Sequence, residues 1–187
     1  MKQLCIALLA ALSTAACAQP ANNPDSAPPT PPRTIESLDV PRYMGTWYEI
    51  AKYPNRFQNQ CVSDTQARYQ LRADASVQVL NQCKNTQGKV EEAMGQARQV
   101  GDATSPKLRV RFAPAWLSWL PFVWGNYWVI DLDESYQLAA VSEPSREYLW
   151  ILSRQPQVQP EAYNALLARL KAQGFDLTRL QVTPHQR

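Results

Sequence analysis

The side chains in this sequence best suited to covalent chemistry are its cysteines. Cys5 lies inside an apolar leader, which leaves Cys17, Cys61 and Cys83. Cys61 and Cys83 fall on two stretches expected to form neighbouring antiparallel strands around a turn near Asp74, so they could form a disulfide in an oxidising compartment. A turn centred at Asp74 leaves them out of direct register, and a bridge therefore requires a bulge or a longer turn. The alternative is two free buried thiols.

Acid–base and metal chemistry find little support. The single histidine, His185, lies in a polar tail, and we interpret it as a solvated residue rather than a base or ligand. The sequence contains no nucleophile motif, no phosphate-binding loop and no metal-ligand spacing. We therefore expect no catalytic residues, no metal and no cofactor in a protein that is not an enzyme.

The N-terminal residues predict export. Lys2 precedes an apolar run from Leu4 to Leu12, too short to cross a bilayer, and small residues then lead to Cys17. Small residues before a cysteine resemble a bacterial lipobox. Lipidation would also account for an unpaired cysteine in an exported protein. Residues 1–16 are therefore predicted to be a lipoprotein signal peptide, with Cys17 lipidated. The alternative is an ordinary signal ending near residue 18, which would give a soluble periplasmic protein.

Composition predicts one globular domain behind a tether. Residues 17–37 are rich in Pro and Ser and predict an extended, mobile linker, which leaves 38–187 as the domain. Hydrophobic residues make up 45% of the chain, enough for a core. The net charge is only +3, and no basic cluster interleaves with aromatic residues, so nucleic acid is not an expected partner.

Short extended stretches separated by turn residues dominate this domain. They lie at about 45–51, 61–71, 77–80, 92–100, 107–112, 127–132, 137–142 and 148–153. In the fifth stretch, apolar residues alternate with basic ones: Leu108, Val110 and Phe112 against Lys107, Arg109 and Arg111. An amphipathic helix then begins at Pro160 and stops at Gly174. The predicted fold is all-β: an eight-stranded antiparallel up-and-down β-barrel, a calyx with one C-terminal α-helix packed outside.

Two residues at opposite ends of the strand series are predicted to close the barrel. Trp47, in the first strand, is a large apolar side chain that needs a cover. Arg154, at the end of the last strand, carries a guanidinium that can lie flat on an indole. A short helical turn over 38–44, with Asp39 as its N-cap, leads into the first strand and could cover the same end.

The remaining inward-facing side chains suggest a ligand cavity. Five residues are expected to line it, although each could instead fill the core: Tyr69, Phe112, Tyr127, Val129 and Trp150. Glu49 and Asp131 share the parity of inward-facing neighbours, and as buried carboxylates they would need hydrogen-bond partners. Glu49 could serve by holding Arg154.

The stretch 114–124 contains three tryptophans, which is excessive for a simple connector. One interpretation is a membrane contact or cavity-mouth element, because tryptophan favours the bilayer interface. Trp116 and Trp119 would then touch the membrane. The alternative is that the segment folds back on the barrel as a satellite cluster.

Two of the stretches resemble family signatures. Gly45–Ala51 (GTWYEIA) and Tyr148–Arg154 (YLWILSR) resemble the first and last motifs of the lipocalin family. Asn126–Asp133, followed by Tyr136, resembles the strand F region of its bacterial outer-membrane, apolipoprotein D-like branch. The resemblance spans about 40–182 and implies a calyx with Trp47 and Arg154 packed at its closed end.

The same resemblance implies a function. Bacterial members suggest binding, storage or transport of fatty acids or lysophospholipids by a protein anchored in the cell outer membrane through Cys17 and facing the periplasm. The alternatives are an envelope enzyme acting on lipids, which would need a free Cys61 or Cys83, and a structural barrel without a ligand. Monomer and homodimer both stay open.

Overall fold

The computed structural model of the chain describes residues 30–186, and its core is one closed antiparallel barrel. The strands are β1 Gly45–Lys52, β2 Ser63–Leu71, β3 Val77–Lys84, β4 Val90–Gln99, β5 Lys107–Arg111, β6 Gly125–Leu132, β7 Leu138–Ser142, β8 Leu149–Ser153 and β9 Gln181–Val182. Strands β1 to β8 pair in chain order, and β1 also pairs with β8, which closes the barrel. The predicted eight-stranded barrel is confirmed, with β9 as an addition.

Two helices flank the barrel. The single turn of α1, Val40–Tyr43, is capped as predicted by Asp39, whose Oδ1 accepts from the backbone N–H of Arg42 at 3.1 Å. The helix α2, Pro160–Ala172, buries Leu166 and Leu170 against the outer wall. Within residues 30–186, neither helix has the length and apolar character that a membrane crossing requires.

The two ends of the barrel differ. The end that carries α1 is closed, because Tyr43 and Trp47 fill it. The other end, which we call the mouth, is bordered by the connections 53–62, 85–89, 112–124 and 143–148. Alternation along each strand places one set of side chains inside the barrel and the other outside.

Two β-bulges reverse this alternation, and the second places Asp131, whose parity suggested an inward position, on the outer face. A register shift between Glu49 and Ala51 leaves Glu49 inside but turns Ala51 outward, toward α2. A second shift between Val129 and Asp131 keeps Val129 inside and places Asp131 outside, beside the helix. Each extra residue in a strand changes which face the following side chains occupy.

The C-terminal segment completes the barrel wall. Strands β1 and β2 pair only as far as Tyr48 and Gln66, and β9 then pairs with β1 at Ala51 and Lys52. Beyond β9, the N–H of Thr183 donates to the carbonyl of Ile50 over 2.9 Å, and the N–H of Asp64 donates to that of Pro184 over 2.8 Å. Residues 181–186 therefore fill a gap between β1 and β2.

This arrangement corrects the interpretation of His185 as a solvated tail residue. Its Nε2 lies 2.8 Å from the carbonyl oxygen of Glu49, and its ring meets Tyr48 edge-on at 5.7 Å between centroids. The sequence suggested a free tail because no apolar run marks these residues. Backbone pairing with β1 and β2, which leaves little trace in composition, holds the histidine in place.

The signal peptide 1–16, Cys17 and the first part of the predicted linker lie outside the described residues. At its described end the linker is not extended away from the domain. The N–H of Ile35 donates to the carbonyl of Val129 over 3.1 Å, and Pro32 is buried. A Pro-rich composition indicates extended backbone, but it does not exclude docking against a wall that offers free carbonyls.

The disulfide between Cys61 and Cys83 is confirmed, with 5.5 Å between the Cα atoms. It depends on an irregularity: the pairing of β2 with β3 shifts register between Ser63 and Gln66. The bulge shifts the register by one residue, and Cys61 reaches Cys83 from the segment just before β2, where the N–H of Val62 donates to the carbonyl of Lys84 over 2.8 Å. The bridge ties the end of the 53–62 connection to β3 at the mouth.

Residues 181–186, which we call the C-terminal wedge, yield a prediction about stability. The hydroxyl of Thr183 donates to the buried carboxylate of Glu49 over 2.6 Å, and Thr183→Val would remove this bond. We expect the free energy of unfolding to fall by about 1.5–3 kcal/mol, because a charged acceptor loses a partner. Urea denaturation measures the change, and Thr183→Ser, which keeps the hydroxyl, serves as control. Equal stabilities for the valine and serine variants would contradict this role.

Candidate functional site

The closed end of the barrel is fixed by the predicted pair Trp47 and Arg154. The guanidinium carbon of Arg154 lies 4.0 Å from the centroid of the fully buried Trp47 ring. Arg154 donates to three carbonyls, those of Arg42, Thr46 and Tyr136, at 2.9, 3.0 and 3.2 Å. The Nε1 of Trp47 donates to the carbonyl of Tyr43 over 2.8 Å. Trp47, Arg154 and Tyr43 therefore close this end of the barrel, and we call this group the floor plate.

Above this plate lies a cluster of three tyrosines. The hydroxyl of Tyr127 shares hydrogen bonds with those of Tyr43, at 3.0 Å, and Tyr69, at 3.1 Å. Burial raises the pKa of Tyr69 to about 12, against the lowering effects of its bond to Tyr127 and of Arg154. Burial also raises the pKa values of Tyr43 and Tyr127. Tyr69 and Tyr127, predicted as cavity-lining residues, thus form the floor of the interior.

Glu49 is the centre of a polar group on the inner wall. Its carboxylate is almost fully buried and accepts from Lys52 at 2.9 Å, Gln58 at 2.6 Å and Thr183 at 2.6 Å. It does not hold Arg154, as the sequence had suggested, because Arg154 is satisfied by backbone carbonyls at the floor. Three donors compensate the cost of burying this charge.

Lys52 and Thr65 lie on the same inner wall with unused bonding capacity. The bulge in β1 brings Lys52 to the inner face, where it pairs in register with Trp150. The Lys52 ammonium donates to one acceptor, Glu49, among the described residues, and an ammonium has three donors. The hydroxyl of Thr65 is buried with no hydrogen-bond partner among residues 30–186. Only the Lys52 side chain, which is 12% exposed, can be reached by a polar ligand atom, because the Thr65 hydroxyl is fully buried.

The upper interior is accessible from the mouth. The register of β3 with β4 places Ala93, Gly95 and Ala97 on the inner face, opposite Asn81, Val79 and Val77. A Cβ on Gly95 would lie 2.8 Å from the ring of Phe112, so that ring covers the inner side of β4. Phe112 is nevertheless 44% exposed, and Ala93 is exposed too. An inward-facing aromatic with this much accessible surface indicates open space above the tyrosines.

Trp150 belongs to one side of the mouth. It packs against the interior cluster, and its Nε1 donates to Oε1 of Gln58 over 2.9 Å. Its ring stacks on Tyr148 at 5.8 Å, and Tyr148 in turn meets Phe57 at 5.5 Å. Gln58 and Phe57 come from the 3-10 turn Arg56–Gln58 in the 53–62 connection. These contacts attach the 53–62 connection to β8 at the mouth.

Asp131 is outside the barrel and plays no part in the interior. Its two carboxylate oxygens accept from Nε and Nη2 of Arg169 on α2, at 2.7 and 2.8 Å. The bulge at Ile130 explains why parity counted from Tyr127 failed. This ion pair fastens the helix to the wall.

The tryptophan-rich connection folds back on the barrel in part, and most of the rest of it is exposed. Trp124 folds back on the barrel, with the guanidinium carbons of Arg111 and Arg98 at 5.2 and 5.8 Å from its ring. The other aromatic side chains of the connection are exposed to solvent: Trp116 is 74% exposed, Trp119 76% and Phe122 80%. An exposed aromatic group of this size is typical of an interaction surface.

Two clefts on the outer surface are not part of this interior. One, of about 690 Å³, lies between residues 31–36 and the wall at Lys107 and Trp128. The other, of about 460 Å³, lies beside Asp131 and Arg169. Both are shallow and open, whereas the calyx contains the inward-facing accessible surface of Phe112. The physical properties of a binding site for an apolar molecule are found in the calyx.

Sequence reasoning found the aromatic residues but missed the polar ones. Lys52, Gln58, Thr65 and Thr183 carry no motif, and each lies next to a bulge or outside a strand. The only available signal was the parity of Glu49, a carboxylate on an inner face. A buried carboxylate demands donors, and lysine three residues later was the nearest candidate.

Comparison with known proteins places this geometry in a family. A family model described as a lipocalin-like domain matches residues 38–185. Temperature-induced lipocalin-1 of Arabidopsis thaliana is 41% identical over 153 residues, covering 80% of this chain and 81% of that protein. The outer membrane lipoprotein Blc of Escherichia coli K12 is 39% identical over 155 residues, covering 81% and 83%. Insecticyanin from the tobacco hornworm Manduca sexta shares the fold, with a TM-score of 0.64, 20% identity and coverage of 84% and 85%.

The tyrosine cluster predicts a loss of stability at alkaline pH. The pKa of Tyr69 is about 12 in the folded protein against 10.0 for an ordinary tyrosine, so the unfolded chain loses this proton more readily. The free energy of unfolding should be constant up to about pH 10 and fall as pH rises toward 12, by about 1.4 kcal/mol per pH unit for each tyrosine. Denaturant titrations from pH 8 to 11.5 measure this slope.

Matched variants separate the cluster from other tyrosines. Tyr69→Phe should reduce the alkaline slope, whereas Tyr48→Phe, outside the cluster, should leave it unchanged. A slope that is identical in the two variants would contradict the prediction.

Proposed function

This chain belongs to the lipocalin family, and from that membership we propose that it binds, stores or transports a fatty acid or lysophospholipid in a bacterial cell envelope. The observation that carries the proposal is the 44% exposure of Phe112 inside a barrel whose other end is sealed. Inward residues above the tyrosine floor are small, which leaves room for an acyl chain: Ala67, Ala93, Gly95, Ala97 and Gly125.

The ligand orientation follows from where polarity lies. The acyl chain runs down toward Tyr69, Tyr127 and Val129, a floor without charged side chains at the ligand surface. The carboxylate or phosphate stays near the mouth, where the Lys52 ammonium has donors beyond the one that it gives to Glu49. Phe112 and Trp150 contact the upper part of the chain. Burial of each methylene group in such a cavity contributes about 0.8 kcal/mol.

An envelope enzyme acting on lipids receives no support from the cysteines. That alternative required a free thiol at Cys61 or Cys83, and both sulfur atoms are in the disulfide. In the part of the interior that residues 30–186 describe, the buried carboxylate of Glu49 is bonded to Lys52, Gln58 and Thr183, and it serves as their acceptor. We therefore propose a non-enzymatic carrier.

We also propose an outer-membrane location, facing the periplasm. Relatives at 38–39% identity are named outer membrane lipoproteins, and Cys17 follows small residues at the end of an apolar leader. Lipidation of Cys17 would anchor the domain through residues 17–37, while cleavage near residue 18 would leave it soluble in the periplasm. Trp116 and Trp119 supply a second contact with the bilayer interface.

Filling the mouth tests the binding function. Ala93→Trp places an indole on an exposed inner position opposite Asn81, so it should block entry with little effect on the packed core. We expect the affinity for a fluorescent fatty acid, measured by titration in solution, to fall at least tenfold. Ala103→Trp, in the exposed turn at the closed end, is the control and should bind normally. Absence of binding by the unmodified protein, even after organic extraction, would favour a structural barrel.

A second substitution tests the membrane contact. Trp116→Ser with Trp119→Ser, in a chain that also carries Cys17→Ser, removes two exposed indoles and leaves no site for an acyl anchor. We expect co-sedimentation with liposomes to fall several-fold, because each indole contributes interfacial binding energy. Unchanged sedimentation of the folded variant would exclude a membrane role for these residues.

A further inference from the structure

One group of charges on the outer wall is not explained by the calyx or by the fold. The register of β4 with β5 places Arg98 directly opposite Arg109, with Arg111 one diagonal step away on the same outer face. We call Arg98, Arg109 and Arg111 the basic face. Like charges directly opposite each other on a sheet are destabilising. A partner with negative charge would compensate the repulsion between Arg98 and Arg109.

The described residues provide no ion pair for this face. The salt bridges among residues 30–186 join Lys52 to Glu49, Lys84 to Asp64 and Arg169 to Asp131. Asp74, in the turn after β2, is exposed and lies within the electrostatic influence of Arg98, but the two side chains form no salt bridge. The basic face therefore presents a net positive charge to the outside of the barrel.

Arg111 shows the imbalance most clearly. It is 5% exposed, and it donates to the carbonyl of Ala113 and, at 3.1 Å, to the side-chain oxygen of Gln96. Its buried Nε has no acceptor among residues 30–186. A buried guanidinium without an anion is costly, and that cost falls when negative charge approaches from the outside.

The exposed aromatic residues lie beside these charges. Trp124 has Arg98 and Arg111 at its ring face, and its Nε1 donates to the carbonyl of Ser118 over 2.8 Å. Ser118 stands between Trp116 and Trp119, so this bond draws the tryptophan-rich connection over the outer wall. Trp124 therefore connects the arginines to the segment that carries the exposed indoles.

We propose that the basic face and the neighbouring indoles together bind the surface of an anionic phospholipid bilayer. The guanidinium groups of Arg98 and Arg109 donate to lipid phosphate oxygens, while Trp116, Trp119 and Phe122 enter the interfacial layer. Arg111 acts as a positioning residue, because it holds Trp124 and the start of the connection against the wall. This inference rests on the membrane contact in the proposed function and adds its lipid selectivity and its orientation: the outer wall at β4 and β5 faces the bilayer.

The test compares vesicles of two compositions. The chain carrying Cys17→Ser is titrated with phosphatidylcholine vesicles and with vesicles containing phosphatidylglycerol, and bound protein is measured by co-sedimentation. We expect clear preference for the phosphatidylglycerol vesicles and loss of that preference between 0.1 and 0.5 M salt, since salt screens exposed charges. Arg98→Gln with Arg109→Gln should weaken binding to these vesicles about twenty-five-fold, which is about fivefold for each cation at about 1 kcal/mol apiece.

A charge-matched control distinguishes a surface from net charge. Arg68→Gln with Lys171→Gln removes the same two charges from exposed positions on β2 and α2. This variant should bind as the parent chain does. Equal loss in both double variants, no loss in Arg98→Gln with Arg109→Gln, or equal binding to both vesicle types would each overturn the proposal.

Ligand titration in the same samples separates the two proposals. Retained fatty-acid binding without charge-dependent vesicle binding would contradict the basic face alone. Charge-dependent vesicle binding without any calyx ligand would contradict the carrier function alone.

Discussion

The structure depends on a single guanidinium at the closed end of the barrel. Arg154 lies flat on Trp47 and donates to carbonyls from α1, from β1 and from the connection between β6 and β7. The connection between β6 and β7 is distant in sequence from α1 and β1, and Arg42 also joins it to α1 by donating to the carbonyl of Glu134 over 3.1 Å. Because lysine has neither the planar face nor the fork of donors, this junction requires arginine. Sealing one end in this way is what allows the other end to stay open.

The interior is graded in polarity from floor to mouth. At the floor, hydroxyl groups bond only to one another, and burial raises the pKa of each tyrosine. Higher on the wall, Glu49 gathers donors from β1, from the 53–62 connection and from the C-terminal segment. Such a gradient suits an amphiphile with one apolar end and one polar end, and it fixes the direction in which the molecule enters.

The sequence predicted the barrel, its closing pair, the disulfide and the outer helix, because these follow from period-two alternation and a few large side chains. Parity held for Glu49 but failed at Ile130, where a bulge inserts one residue and carries Asp131 to the outer face. A bulge has no reliable composition, since it is set by how two strands twist against each other. His185 was misjudged for a related reason: its segment joins the sheet through backbone bonds that any residue can form.

Outcomes at individual site residues show the same limit. Phe112 could be assigned inward from the clean alternation of β5, and the covered face of Gly95 agrees with that assignment. Lys52 could not, because its position depends on the bulge beside it. Large side chains in the sequence indicate where a core or cavity lies. The small polar groups that would select a ligand are positioned by backbone irregularities.

Because residues 181–186 pair with β1 and with Asp64, the barrel wall is completed only after this last segment of the chain is available. A chain delivered from its N-terminal end presents β1 to β8 first, and β1 can already pair with β8 and with part of β2. Until the wedge arrives, the wall has an open seam at Ile50 and Asp64, and Glu49 lacks one of its donors. Before residues 181–186 pair, the barrel therefore has an incompletely bonded wall between β1 and β2, and its last segment completes that wall.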